Sequence, residues 1–162
     1  MTRNPVTPEG HATLTAKLHH KKSIERLQIV RDIEEARAHG DISENSEFED
    51  AKARQAECDA YIRLLEGMLA TAEVIDITRV PKSDRVVFGC WVKIENIDSG
   101  EERQWRIVGE DQADVEQRLI SFKSPIARGL IGKSEGDEAS VETPQGKVTY
   151  SIVEVHYGVE AP

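Results

Sequence analysis

From Phe48 onward the apolar positions fall in steps of three and four: Phe48, Ala51, Gln55, Cys58, Ile62, Leu65, Leu69 and Ala72, with Gln55 the one polar member. A seam kept for more than three heptads predicts a helix that packs along its length against another. Upstream the pattern is helical but less even. Leu18, Ile29 and Ala36 are 11 and then 7 residues apart, with Leu14, Leu27, Val30 and Ile33 alongside, a mixed spacing that predicts a straighter helix with a local change of supercoil. Thr7-Pro8-Glu9 supplies an N-cap, a proline for the first helical position and an early acid, so this helix starts near Pro8. It ends at His39-Gly40, because glycine suits the residue just past a helix. No glycine interrupts either stretch between Gly10 and Gly40 or between Gly40 and Gly67. With only Gly40 to about Ser43 between them, the two helices must fold back as an antiparallel hairpin. Helices of roughly 30 residues make a rod about 45 Å long with no interior, so chemistry on it belongs at an end.

After Ala72 the pattern changes to β-branched runs. Val74-Ile75-Asp76-Ile77-Thr78 leads into Pro81-Lys82-Ser83-Asp84, a loop composition. Strands are expected at Val86–Phe88, Trp91–Ile97, Gln104–Val108, Leu119–Ser121, Ala139–Thr143 and Lys147–Val155, with turns at Asp98-Ser99-Gly100 and Pro144-Gln145-Gly146. A short helix is expected at Pro125–Leu130, capped by Ser124. The fold class is α+β, divided into a helical hairpin over 1–76, a linker over 77–84 and a small antiparallel sheet domain with a short helix over 85–162. Six of the eight aromatic residues lie beyond position 80, which fits two differently built parts.

Composition narrows the function classes. The 162 residues carry 21 Lys+Arg against 30 Asp+Glu, a formal net charge of −9. The division near residue 76 gives −5 before it and −4 after it, so neither part is basic and autonomous RNA or DNA binding is disfavoured. No apolar run approaches the roughly 18 to 20 residues of a membrane span, and residues 1–10 lack the apolar stretch of a signal peptide. Two cysteines, Cys58 and Cys90, are too few for a disulfide framework, and a cytoplasmic location is expected. Cys58 falls on the seam and Cys90 in a strand, and no base lies near either in sequence to suggest a nucleophile. His19 and His20 are adjacent on a helix and point about 100° apart, which argues against a shared metal.

Five of the 30 acids lie between residues 41 and 50, a stretch with no basic residue, flanked by Arg37 and His39 before it and by Lys52 and Arg54 after it. Asp41-Ile42-Ser43-Glu44 fits a capping box, with Asp41 as N-cap and Glu44 reaching back. The same carboxylates at the end of a rod also suit a metal or ligand site. Spacing leaves both readings open.

Residues 35–48, Glu35-Ala36-Arg37-Ala38-His39-Gly40-Asp41-Ile42-Ser43-Glu44-Asn45-Ser46-Glu47-Phe48, closely resemble the coiled-coil tip motif of the GreA-type bacterial transcript cleavage factors. Ile120-Ser121 followed by Ser124-Pro125-Ile126-Ala127-Arg128-Gly129-Leu130-Ile131-Gly132-Lys133 resembles the same family's C-terminal signature. Val6–Gly10, Ala72–Asp76 and Arg106–Gly109 add supporting matches, so the resemblance runs from about Val6 to Tyr157. It implies an FKBP-like fold for the C-terminal domain. It also implies a monomeric factor that inserts its coiled coil into the secondary channel of RNA polymerase and stimulates the polymerase's own cleavage of backtracked RNA, without turnover of its own.

The family's two tip acids fall on Asp41 and Glu44, whose implied catalytic role is to help hold a Mg²⁺ ion shared with the polymerase. Such an ion takes one or two carboxylates and fills its remaining sites with water and phosphate. Arg37 and Lys52 match the cations that contact the 3′ part of the nascent RNA, with Arg54 a weaker addition. Ser124, Pro125 and Ile126 match the segment that docks on the channel rim. Two positions depart from the family pattern: Phe48 stands where tyrosine is usual, and Leu27 where a proline is common. Two other functions remain open, a channel-binding inhibitor that promotes no cleavage and a prolyl isomerase built on residues 80–162. Retention of both Asp41 and Glu44 favours the cleavage factor, and Trp91 and Trp105 read as core residues more than as a proline pocket.

Overall fold

The computed structural model describes residues 3–39 and 46–162. Among these residues are seven strands, β1 (Asn4–Val6), β2 (Ala72–Val74), β3 (Trp91–Asn96), β4 (Glu102–Val108), β5 (Leu119–Ser121), β6 (Glu138–Thr143) and β7 (Gly146–His156). The α-helices among them are α1 (Pro8–His20), α2 (Arg26–Ala38), α3 (Ser46–Thr71) and α4 (Pro125–Leu130). The residues form two compact units, one of His11–Ala72 and one of Arg3–Gly10 together with Glu73–Pro162.

The first unit is the expected hairpin. Ion pairs His39–Glu47, Asp32–Arg54, Arg26–Asp59 and Lys22–Glu66 step in opposite directions along the two arms of the hairpin, which makes the helices antiparallel. Ile29, Ile33 and Ala36 on one helix and Ala51, Cys58, Ile62 and Leu65 on the other are buried. Phe48 and Leu18 pack partly buried against this cluster. Between α1 and α2 the chain makes a π-helical turn over Lys21–Glu25, in which the Arg26 N–H bonds to the Lys21 carbonyl. The wide turn accounts for the 11-residue interval. Three turns of a supercoiled helix take about 10.5 residues, and one wider turn brings Ile29 back onto the stripe begun by Leu14 and Leu18. The turn is braced from within and from α3: Lys21 Nζ lies 2.8 Å from Glu25 and 4.9 Å from the centre of the Tyr61 ring, and the buried Cys58 thiol donates to the Lys21 carbonyl across 3.8 Å. Burial pushes the Cys58 thiol above its ordinary range, and the bond to Glu25 raises Lys21.

The second unit is a curled, mostly antiparallel five-stranded sheet in the order β5-β4-β3-β7-β6. One pair departs from the expected all-antiparallel arrangement: β5 runs parallel to β4, with Ile107 opposite Ile120. The connection over 109–118 contains two 3-10 turns, at Glu110–Gln112 and Val115–Gln117, and is nearly the dozen residues a parallel return requires. Val92, Ile94, Ile107, Ala139 and Ile152 from the strands and Ala127 and Leu130 from α4 form the core. Trp91 and Trp105 are buried as expected. The helix lies close on β6 because residue 129 is glycine; a Cβ there would come within 3.1 Å of Val141.

Two segments differ from the sequence reading. Val86–Phe88 is not a strand, although Val86 is fully buried. Its backbone pairs with the loop after α4, donating to Lys133 O at 2.7 Å and accepting from Gly132 N at 2.9 Å. The expected boundary at 76 and linker over 77–84 also differ from the packing. Asp76 caps a 3-10 turn at Ile77–Arg79, its carboxylate held below its usual range by the Thr78 bonds, and Ile77 is a core residue at 1% exposure. Ahead of the hairpin, β1 pairs with β2 and Ile75 N–H donates to Val6 O at 2.9 Å. The Thr7 hydroxyl donates to Gln112, and Arg106, only 3% exposed, pairs with Glu9 and donates from Nε to Gly89 O at 3.0 Å.

Two outcomes follow from this packing. Glu9→Ala leaves a buried guanidinium without its carboxylate and lowers stability by about 2 kcal/mol, read from denaturant midpoints. Burial pushes the Cys90 thiol from 9.0 to about 11, so above its ordinary value the unfolded chain loses this proton first. Stability is retained below pH 9.0 and falls as the pH rises toward about 11. Urea midpoints on either side of that window show a smaller decline for Cys90→Ala than for the parent.

Candidate functional site at the hairpin turn

Helix α2 ends with Arg37 in its last turn, where a cation suits the helix dipole, and His39 closes it through its N–H to Ala36 O at 3.2 Å. Helix α3 opens with Glu47 and Glu49 in its first turn, where acids are favoured for the converse reason. The expected catalytic and Mg²⁺-holding residues, Asp41 and Glu44, lie between these ends and outside the described residues. Between the two helix ends, His39 Nδ1 is 3.6 Å from Glu47 Oε2 with both side chains exposed. The turn is thus entered and left by a pair of opposite potential charge, worth at most about 1 kcal/mol at such exposure.

The three flanking cations have different surroundings. Arg54 Nη2 bonds Asp32 Oδ2 at 3.1 Å, and Asp32 accepts a second bond from Gln28 at 3.1 Å. Arg54 therefore serves as a link between the two helices. Lys52 is exposed and, among the described residues, bonds Gln55 at 3.5 Å. Arg37 lies over the ring of Phe48, its guanidinium carbon 5.9 Å from the ring centre. The cleft on this side of the hairpin is lined by Asp32, Glu35, Ala36, Glu47, Asp50 and Arg54. Among the described residues no group of three or more His, Cys, Asp or Glu side chains could hold a metal ion.

The expected docking segment lies in the second unit. Ser124 is the N-cap of α4, its Oγ accepting from Ala127 N at 3.2 Å, and Pro125 takes the first helical position. Ile126 packs partly buried against the core, while Pro125 is exposed. Of the three, Pro125 offers the surface and its neighbours fix it. Sequence reading missed the His39–Glu47 pair and the use of Asp32 to occupy Arg54. A signal for both exists in the hairpin register, which makes each pair direct neighbours across the helices.

The chain matches two family models, one described as transcription elongation factor, N-terminal, over residues 4–74, and the other as transcription elongation factor, GreA/GreB, C-term, over residues 81–157. The transcription elongation factor GreA of Psychrobacter cryohalolentis is 55% identical over 157 residues, covering 97% of this chain and 99% of the relative. That of Acinetobacter baumannii is 48% identical with the same coverage. Among solved structures, GreA factor homolog 1 of Thermus thermophilus shares 26% identity at a TM-score of 0.43, covering 95% of this chain and 99% of that one. No helix among the described residues is long and apolar enough to cross a membrane. By the two matched models and by identity along nearly its whole length, the chain belongs to the GreA/GreB family of transcription elongation factors.

Proposed function

We propose that this elongation factor binds bacterial RNA polymerase as a monomer in the cytoplasm, inserts its hairpin through the secondary channel and stimulates Mg²⁺-dependent cleavage of backtracked nascent RNA. The observation that carries the reading is the presence of Asp41 and Glu44, in a member of this family, in the stretch of sequence between the two helices of an antiparallel hairpin. Among the described residues the hairpin buries a single stripe and has only open clefts along its sides, which suits a part that completes another protein's active site.

In this reading Asp41 and Glu44 are the catalytic residues and would hold the Mg²⁺ on the factor's side. A donor set of two carboxylates fits an ion that keeps most of its water, so the isolated protein binds it weakly. When bound, the ion supplies charge stabilisation and an activated water. The chain's own residues orient and bind: Arg37 and Lys52 meet phosphates of the RNA near its 3′ end, Arg54 keeps the helices in register, and Pro125, set by Ser124 and Ile126, meets the channel rim. The overall charge of −9 suits a protein that reaches RNA only inside the complex, where a few local cations suffice.

The test is addition of the protein to a stalled, backtracked polymerase complex with Mg²⁺. The RNA shortens from its 3′ end, and Asp41→Ala or Glu44→Ala reduces the rate at least 100-fold while binding to polymerase is unchanged. Binding without shortening by the parent protein would reject the cleavage role.

A further inference from the structure

Arg37 and Arg54 carry the same guanidinium at opposite ends of the hairpin turn, and their neighbours treat them differently. Arg54 spends its donors on Asp32 at 3.1 Å. Arg37 has no carboxylate within ion-pair distance among the described residues, and it lies over an aromatic ring instead. The two arrangements have opposite consequences for an incoming anion. A carboxylate partner neutralises the charge and occupies the planar edge of the guanidinium. An aromatic face attracts the cation through its quadrupole and leaves the edge N–H donors available.

The ring under Arg37 is itself held. Phe48 is half-buried and packs against the seam cluster of Ile29, Ile33, Ala51, Cys58 and Ile62, so its position is set by the hairpin core. An arginine on an exposed helix end otherwise samples many rotamers, and ordering it at the moment of binding costs affinity.

We infer that Phe48 is a positioning residue, a fixed platform that holds the Arg37 guanidinium charged and edge-open beside the turn as a preorganised phosphate clamp. The inference rests on the proposed role of Arg37 toward RNA and extends it to a residue that itself touches no phosphate. The contact uses the ring face alone. A phenolic hydroxyl is therefore dispensable for it, and the presence of phenylalanine here leaves the clamp intact.

Two experiments on the full chain test this. The first is NMR of the arginine side chains in the free protein. The Arg37 resonances are ring-current shifted in the parent and in Phe48→Tyr, and move to random-coil values in Phe48→Leu, whose apolar side chain keeps the seam packed; helicity by circular dichroism checks that it does. Unshifted Arg37 signals in the parent overturn the inference.

The second is the rate of RNA shortening in backtracked complexes at subsaturating factor. Phe48→Leu lowers it roughly two- to fivefold, the equivalent of an exposed cation–π contact, and Phe48→Tyr restores the parental rate. Arg37→Gln combined with Phe48→Leu is no slower than Arg37→Gln alone. A full additional loss in the double variant, or failure of Phe48→Tyr to restore the rate, assigns Phe48 to seam packing and overturns the inference. If the parent protein shortens no RNA, the cleavage role fails, and the resonances still decide whether Phe48 positions Arg37.

Discussion

Two antiparallel helices bury only one stripe between them, and an interruption of that stripe has no third layer to compensate for it. The hairpin depends on keeping the stripe continuous from Leu14 to Ala36 on one strand of the rod and from Phe48 to Leu65 on the other. Against a heptad seam of 3.5 residues per turn, the 11-residue interval between Leu18 and Ile29 is about half a residue longer than three turns, a misalignment of roughly 50°. The π-helical turn at Lys21–Glu25 absorbs that misalignment within five residues. Everything nearer the turn inherits its register from this correction: the Asp32–Arg54 link, the seat of Phe48 and the pairing of His39 with Glu47 all require α2 to face α3 on one fixed side.

The sheet unit answers a different constraint, the burial of a charge. Arg106 is on the face of β4 turned away from Trp105 and Ile107, and at 3% exposure it needs both the Gly89 carbonyl and the Glu9 carboxylate. Glu9 is 97 residues earlier in the chain. Removal of either partner would strand an ion in a poorly solvated place, so the segment before the hairpin is tied to the sheet by polar bonds as well as by the short β1–β2 pairing.

What could be read from the sequence follows the range of the interactions involved. The helices, the seam and the Ser124–Pro125 helix start were legible because periodicity and caps are local signals. The 11-residue gap announced a change of winding, but several geometries share that spacing, and the π-turn was one of them. Val86–Phe88 has the composition of a strand and the burial of one, yet its partner is a loop some 46 residues later, which no local pattern encodes. The parallel return of β5 and the burial of Arg106 were hidden for the same reason. At the candidate site the chemistry expected of Asp41 and Glu44 rests on resemblance, and both residues lie outside the described ones. The different surroundings of Arg37, Lys52 and Arg54 were not legible, because they depend on which residue of the facing helix lies opposite.

The grouping of Arg3–Gly10 with Glu73–Pro162 has a consequence for how the chain is assembled. Topologically the hairpin is an insertion: Arg3–Gly10 belongs to the sheet unit, the chain leaves it for His11–Ala72, and it returns beside Asn4–Val6, where Ile75 meets Val6. During synthesis the hairpin has all its contacts in hand once α3 is made, whereas β1 and Glu9 must wait for partners that come later in the chain. Arg3–Gly10 is thus translated before the hairpin and is among the last segments to be fixed. The order of translation and the order of folding run in opposite directions across this short stretch.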